Sequence, residues 1–297
     1  MDLQNNSIQK YHPLTMLIYF SAELLIVMFS ANPILTATAL VAGMAFYSDL
    51  KGAKVFLKEF IIILPIFILI AVTNPIFSRD GSTLVFSVLG LSVYYESILY
   101  GAQIAGMLIA VIFWFRCLSE LLTTDKSLFL FGRFFSKLSL MLTLSLRYIK
   151  LFAEQSKRIR NAQKTMGMFS SQSYVDKAKS TMRILSSLIT WALESSIDTS
   201  NSMKARGYGL KGRKSYDTYR FSKKDYIAIS FSVLFAFLTV FGIGRGALAF
   251  DFYPSISYKA FSPLSIAAYA SFIVLSFMPL FCKAKESIKW KFFMLKI

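Results

Sequence analysis

Histidine occurs once and cysteine twice in these 297 residues, and 16 acidic side chains face 33 lysines and arginines. Each shortage excludes something. Cys117 and Cys282 are too few and too far apart for a disulfide framework or a thiolate metal site, and read as small core thiols. His12 has no second histidine or cysteine near it, so a zinc or haem centre built by this chain is not expected. The loops offer no convergent set of acids, bases and nucleophiles, so no catalytic residue is assigned and the chain reads as a non-enzyme. Met1-Asp2-Leu3-Gln4-Asn5-Asn6 contains no basic segment leading an apolar core to a small-residue cleavage site. No cleaved signal peptide is therefore expected, and the first membrane helix should do the targeting.

What the chain has in excess is apolar length. A mean hydropathy of +0.54, 55% hydrophobic residues and 29 phenylalanines point to a polytopic membrane protein. Residues 60–78, 97–115, 226–244 and 260–282 contain no Lys, Arg, Asp or Glu, and each is about as long as the ~20 residues a membrane helix needs. Residues 13–48 hold one charge, Glu23, and suit two shorter spans broken at Asn32-Pro33. The 33–48 piece is short enough to be re-entrant. The fold class expected is all-α, with about six transmembrane helices.

Six spans with both ends on one side place residues 49–59, 116–225 and 283–297 together with the N-terminus. Thirty of the 33 Lys and Arg fall on that side, and only Arg79, Arg245 and Lys259 on the other. Basic residues concentrate on the cytoplasmic face, so both termini are expected to be cytoplasmic. The net charge of +17 is then chiefly a topology signal. Anionic lipid is an expected partner and nucleic acid is not.

Residues 116–225 divide an N-terminal membrane region, 1–115, from a C-terminal one with a basic tail, 226–297. Their pattern is helical rather than loop-like. Leu138, Leu142, Leu146, Ile149 and Phe152 recur every three or four residues, with Arg147, Lys150, Glu154 and Lys157 roughly opposite. In the second half Met182, Leu185, Ile189, Leu193 and Ile197 make one face, and Lys179, Arg183, Thr190, Glu194 and Asp198 another. Gly167 with Ser170-Ser171 supplies a stop and a turn between them. Two such helices either pack as a hairpin at the membrane surface or present their ends to a partner. Both halves end in small-residue, glycine-containing, cationic tips, Lys164-Thr165-Met166-Gly167 and Lys204-Ala205-Arg206-Gly207, which favours the second reading. An arginine at such an end can pair bidentately with a partner carboxylate.

Other patterns carry less. Gly207, Gly209 and Gly212 match a dinucleotide fingerprint, and Gly207 to Ser215 nearly matches a phosphate loop, but the run follows a helix instead of opening one. Neither is read as a nucleotide site, so any ATP must bind another chain. Glu23 is the one acid well inside a span and reads as paired or hydrated within the bundle; an ion-coupled secondary transporter with its own pocket is the alternative it leaves open. Ala102, Gly106 and Ala110, with Ala39 and Gly43, recur at spacing four and read as helix-packing faces.

Three stretches together resemble the transmembrane T component of energy-coupling factor transporters, a branch of ABC importers. Glu194 to Gly209 is similar to a family signature centred on an Ala-Arg-Gly triplet. Asn74-Pro75-Ile76-Phe77 followed by Gly81 resembles an extracytoplasmic turn, and Leu146-Arg147-Tyr148 through Ala162-Gln163 resembles the first of two cytoplasmic coupling helices. The resemblance implies a scaffold in a bacterial or archaeal cytoplasmic membrane. Two cytoplasmic ABC ATPases, which use ATP and magnesium, and a substrate-binding membrane S component would be its partners, and a micronutrient, a vitamin or transition-metal ion, the cargo. It also implies that Ala205, Arg206 and Gly207 dock on one ATPase, and Lys164, Met166 and Gly167 on the other. The family pattern has an arginine where this chain has Met166. That arm would dock through packing and through neighbours such as Lys164 or Arg160, and on the family pattern alone Met166→Arg should be tolerated.

Overall fold

The computed structural model describes residues 11–77, 82–88, 91–167, 174–210, 219–258 and 262–294. They form helices α1 (Pro13–Phe29), α2 (Pro33–Lys51), α3 (Ala53–Phe77), α4 (Tyr95–Leu121), α5 (Thr124–Phe134), α6 (Ser136–Thr165), α7 (Tyr174–Ala205), α8 (Lys223–Gly244) and α9 (Pro263–Met294). Two antiparallel ribbons complete the set, β1 (Leu84–Val88) with β2 (Leu91–Tyr94) and β3 (Phe250–Asp251) with β4 (Ser257–Tyr258). The chain divides into two compact units, Met1–Ser127 with Tyr219–Ile297, and Leu128–Thr218.

The first unit holds α1–α4, α8 and α9. Their composition leaves little choice, because a backbone crossing lipid must satisfy its polar groups internally. Helices α2, α3, α4, α8 and the Pro263–Lys285 part of α9 are long and apolar enough to cross a membrane. The structure reverses which of the first pair is short: α2 has 19 residues and α1 has 17. The break at Asn32-Pro33 is where expected. Pro33 opens α2, Asn32 Oδ1 accepts from the Ile34 N–H at 2.9 Å, and Asn32 Nδ2 donates to the Leu248 carbonyl and the Tyr269 hydroxyl. One side chain thus caps a helix and ties it to two distant segments. Asn74-Pro75-Ile76-Phe77, expected as a turn, instead completes the last helical turn of α3, where the ring of Pro75 is buried. Gly81 and Arg79 lie outside the described residues.

Packing centres on Trp114 of α4, which is fully buried. Tyr19 and Phe20 of α1 meet its ring edge-on, and Phe46 of α2 lies 6.3 Å from it. Its indole N–H donates to the Ala39 carbonyl at 3.0 Å, which satisfies the one polar atom of the ring. A Cβ on Gly43 would sit 3.1 Å from that nitrogen, so the small residues of α2 are the floor on which the indole lies. On α4, Gly106 and Ala110 are buried as the spacing implied, whereas Ala102 is only half-buried. The close approach is made one residue earlier. A Cβ on Gly101 would fall 2.7 Å from the Ala71 carbonyl oxygen of α3.

Polar groups concentrate at the basic ends of these helices. Lys51 pairs with Glu120 at 2.7 Å, Lys283 with Asp49 at 2.6 Å, and Glu59 accepts from both Arg116 and the Tyr47 hydroxyl. The pairs join α2 to α3, α4 and α9, giving partners to acids that sit among the lysines at these ends. Asp225 makes a second lock. Its Oδ2 completes a capping box with the Ser222 N–H, and its Oδ1 accepts from the His12 N–H at 2.8 Å, joining the starts of α8 and α1. His12 in turn caps α1 through Nδ1 and stacks on Phe221 at 3.8 Å, a structural role that matches its isolation in sequence. Lys126 is buried beside the end of α4, donating to the Leu121 carbonyl at 3.1 Å, and burial holds its ammonium below the ordinary lysine range.

Glu23 is 0% exposed, and its Oε1 accepts from Ser276 of α9 at 2.6 Å. Oε2 has no partner among the described residues. The acid is therefore paired through one oxygen only. A crevice of about 50 Å³ lies nearby between α1, α8 and α9, lined by Tyr19, Phe20, Met278 and mainly apolar neighbours. It has room for little more than a few waters, against roughly 300–1,000 Å³ for ligand clefts.

Two glycines on one helix give a test of this packing. Gly101→Ala should destabilise the bundle by about 1–3 kcal/mol, because backbone must shift to admit the methyl. Gly106→Ala, whose new Cβ would meet only Thr36 Cγ2 at 3.6 Å, should lie close to wild type. Thermal unfolding in mild detergent measures both; equal melting temperatures would show that the α3–α4 approach is not tight at Gly101.

Candidate functional site

The second unit is built on α6 and α7, of 30 and 32 residues. Their amphipathic sequences left open a packed hairpin or a pair of arms whose ends meet a partner. In the structure aromatic and hydroxyl side chains bring the two helices together. Phe152 and Trp191 meet edge to face with ring centroids 5.7 Å apart. The Tyr148 hydroxyl lies 2.9 Å from Thr199 Oγ1. A later residue of α6 meets an earlier residue of α7, so the helices pass in opposing senses and their C-terminal ends point away from each other.

The stripes that a packed hairpin would bury are open. Met182, Leu185, Ile189, Leu193 and Ile197 are 51–65% exposed, and Leu138, Leu142, Leu146 and Ile149 are exposed as well. Phe152 alone of the α6 stripe is half-buried. Long helices with propensity but little packing need termini that are well satisfied. Both C-termini meet that need.

The two ends are built alike. At α6, Met166 N–H donates to the Ala162 carbonyl at 3.2 Å and Gly167 N–H to the Lys164 carbonyl at 3.0 Å, with Gly167 at φ +77°. At α7, Arg206 N–H donates to the Ser202 carbonyl at 3.1 Å and Gly207 N–H to the Lys204 carbonyl at 2.9 Å, with Gly207 at φ +78°. The Tyr208 N–H then closes back on the Met203 carbonyl at 3.0 Å, as expected of a helix ended by a left-handed residue. A side chain at either glycine would be strained in that conformation. Lys164 and Lys204 occupy the last turns, where the helix dipole favours cations.

Of the residues singled out from sequence, Lys164, Met166 and Gly167 share the α6 tip, and Ala205, Arg206 and Gly207 the α7 tip. All but Gly207 are exposed, and Gly207 is half-buried against Leu210. Arg206 forms no ion pair among the described residues. Measured from the crossing, the tips extend by about 20 Å on α6 and about 15 Å on α7, at 1.5 Å per residue. Gly209 is left-handed at φ +95°. Gly212, Arg213, Ser215 and the turn at Ser170-Ser171 lie outside the described residues.

Sequence reasoning missed the crossing residues Tyr148, Trp191 and Thr199. The signal was available: Tyr148 and Phe152 are aromatic neighbours one turn apart on α6, and α7 has a single tryptophan, placed beside rather than in its aliphatic stripe. It also missed Leu210, which is exposed just past the α7 tip.

The model of the CbiQ family, described as cobalt transport protein, matches residues 4–216. Three relatives are each described as an energy-coupling factor transporter transmembrane protein. That of Leuconostoc gelidum subsp. gasicomitatum is 33% identical over 108 residues, 36% of this chain and 40% of the relative. That of Lactobacillus helveticus is 32% identical over 100 residues, 33% of this chain and 36% of the relative. Over those two the chain spans less than half of the relative's length. The match to the Streptococcus equi subsp. equi protein is broader, 30% identical over 239 residues, 74% of this chain and 85% of the relative.

The crossing is the point at which the two arms can be loosened without touching either tip. Trp191→Ala should broaden and lengthen the distance distribution between spin labels at positions 164 and 204, measured by pulsed electron resonance in detergent. Tyr148→Phe, which removes one hydrogen bond worth about 1 kcal/mol, should change it little. An unchanged distribution in Trp191→Ala would mean that something other than this contact sets the arms.

Proposed function

This chain belongs to the CbiQ family of energy-coupling factor transporter T components, and from that premise we propose that it is the non-catalytic scaffold of an ATP-driven importer. It is a multi-pass protein of the bacterial plasma membrane with at least five helices long enough to cross it. In the proposed assembly, two cytoplasmic ABC ATPases bind the tips of α6 and α7. A separate membrane S component captures the substrate, and the scaffold carries the ATPases' motion to it. ATP and magnesium are bound by the ATPases, and anionic lipid neutralises the basic side of the membrane unit. The cargo class is a micronutrient, either a vitamin or a transition-metal ion; the family's own description names cobalt.

One observation carries this reading: two exposed helix tips, each ended by a left-handed glycine, point away from a common crossing. A single groove would take one tip; two tips facing apart suit two partner chains. Arg206 supplies the charge for one contact, since an exposed guanidinium pairs with a carboxylate in a fork geometry that lysine lacks. Ala205 and Gly207 flank it with no bulk, so partner backbone can approach closely. The alternative of an ion-coupled carrier with its own pocket rests on Glu23, whose one hydrogen-bonded oxygen and tight surroundings suit a link between α1 and α9 better than a route for ions.

Co-purification with the ABC ATPases in mild detergent tests the assignment. Arg206→Ala should weaken ATPase retention by roughly ten-fold or more, the scale of a lost charge-assisted pair, and Arg206→Glu further still through repulsion. Coupled substrate uptake should fall in the same order. Retention and uptake equal to wild type in both variants would remove Arg206 from the interface.

A further inference from the structure

Pro279 removes an N–H from the middle of α9, so the Leu275 carbonyl, four residues back, loses its donor within the helix. Helix α1 supplies another. The Tyr19 hydroxyl donates to that carbonyl at 3.0 Å, and one turn further along α1 the Glu23 Oε1 accepts from the next residue of α9, Ser276, at 2.6 Å. Tyr19, Glu23, Leu275 and Ser276 are all buried. The break in the ladder of α9 is thus closed by side chains of a second helix.

The two sides of the break are packed differently. Before it, a Cβ on Gly242 of α8 would lie 2.6 Å from the Ala268 Cβ, the Ser265 hydroxyl donates to the Ala247 carbonyl at 2.7 Å, and Phe272 and Leu275 are fully buried. Past Pro279, none of residues 280–285 is buried, and Phe281 is 65% exposed. The ion pair of Lys283 with Asp49 of α2 is partly exposed at both partners and therefore weak. The crevice of about 50 Å³ lies at this point, with Met278, Pro279 and Cys282 on one wall and Ala228 and Ser232 of α8 on another.

We propose that Pro279 is a hinge: the part of α9 from Leu280 onward pivots toward and away from α8 over the crevice, while Tyr19 and Glu23 hold the preceding part fixed. In an unbroken helix a change of angle would cost the backbone hydrogen bond at the bend. Here that bond is already absent, and the carbonyl it would have served stays satisfied by Tyr19 whatever the angle of the segment beyond. Close packing resists gradual deformation, so movement belongs to the side of the break where packing is open. Such a joint passes a displacement along one end of α9 without repacking the core of the bundle. Every residue involved lies in the first unit, so the hinge stands or falls independently of the partners assigned to the second.

Pulsed electron resonance on the full chain in mild detergent measures the movement, with spin labels at the exposed positions 227 and 285 across the crevice, or 227 and 266 as the reference on the fixed part. Cys282→Ser removes the half-buried native thiol from all labelled chains. The 227–285 distance distribution should be broader than the reference, and Pro279→Ala, which returns an N–H to the Leu275 carbonyl, should narrow it to the reference width. Tyr19→Phe should lower the melting temperature by about 2–5 °C with Pro279 in place, the scale of one buried acceptor left unsatisfied, and by less than half as much in the Pro279→Ala chain. A 227–285 distribution as narrow as the reference, or one that Pro279→Ala leaves unchanged, overturns the hinge. Equal losses from Tyr19→Phe in both backgrounds overturn the part given to α1.

Discussion

The contact of Trp191 with Phe152, and of Tyr148 with Thr199, holds together two helices that otherwise leave their apolar stripes open. An edge-to-face aromatic pair contributes about 0.5–1.5 kcal/mol beyond the area it buries, and a hydrogen bond about 1 kcal/mol. Those are small quantities for two helices of 30 residues or more. The consequence is an arrangement whose ends are well defined by their glycines while its flanks remain available. A seam packed along its whole length would have buried the stripes and left less for a partner to cover.

The membrane unit follows the opposite logic. There the helices are fixed by tight approach at small residues, with Trp114 lying across Ala39 and Gly43 and α3 lying against Gly101. Polar groups within it are handled one by one: the Asn32 amide, the Glu23 carboxyl and the Tyr19 hydroxyl each find a partner on a distant helix or loop. Asp225 does the same at the start of α8, where the chain returns from the second unit.

Much of this was legible from residues alone. Spans of 19 or more uncharged residues announced themselves, and the break at Asn32-Pro33 was readable because proline cannot continue a helix and asparagine can cap one. The tips were readable for a related reason, since glycine after a cationic last turn is a helix stop. What misled was local likeness. Asn74-Pro75 has turn composition, yet it ends α3 as helix, because Pro75 packs against α4 at the place where Gly101 makes room. The ribbons β1–β2 and β3–β4 were not foreseen; strands of two to five residues carry too little periodicity to stand out beside long apolar helices.

The chain's own order of residues determined its class and the positions at which its two long helices stop, because these depend on hydropathy and backbone conformation within a few residues. Whether the amphipathic stripes would face each other or stay open could not be read that way. Periodicity defines a face without saying what covers it, and only the tertiary structure shows Tyr148 and Phe152 of α6 meeting Trp191, Ser195 and Thr199 of α7. The likeness of the tips Lys164-Thr165-Met166-Gly167 and Lys204-Ala205-Arg206-Gly207 was legible in sequence; the structure adds that their backbones match, Met166 and Arg206 each donating to the carbonyl four residues back and each followed by a left-handed glycine.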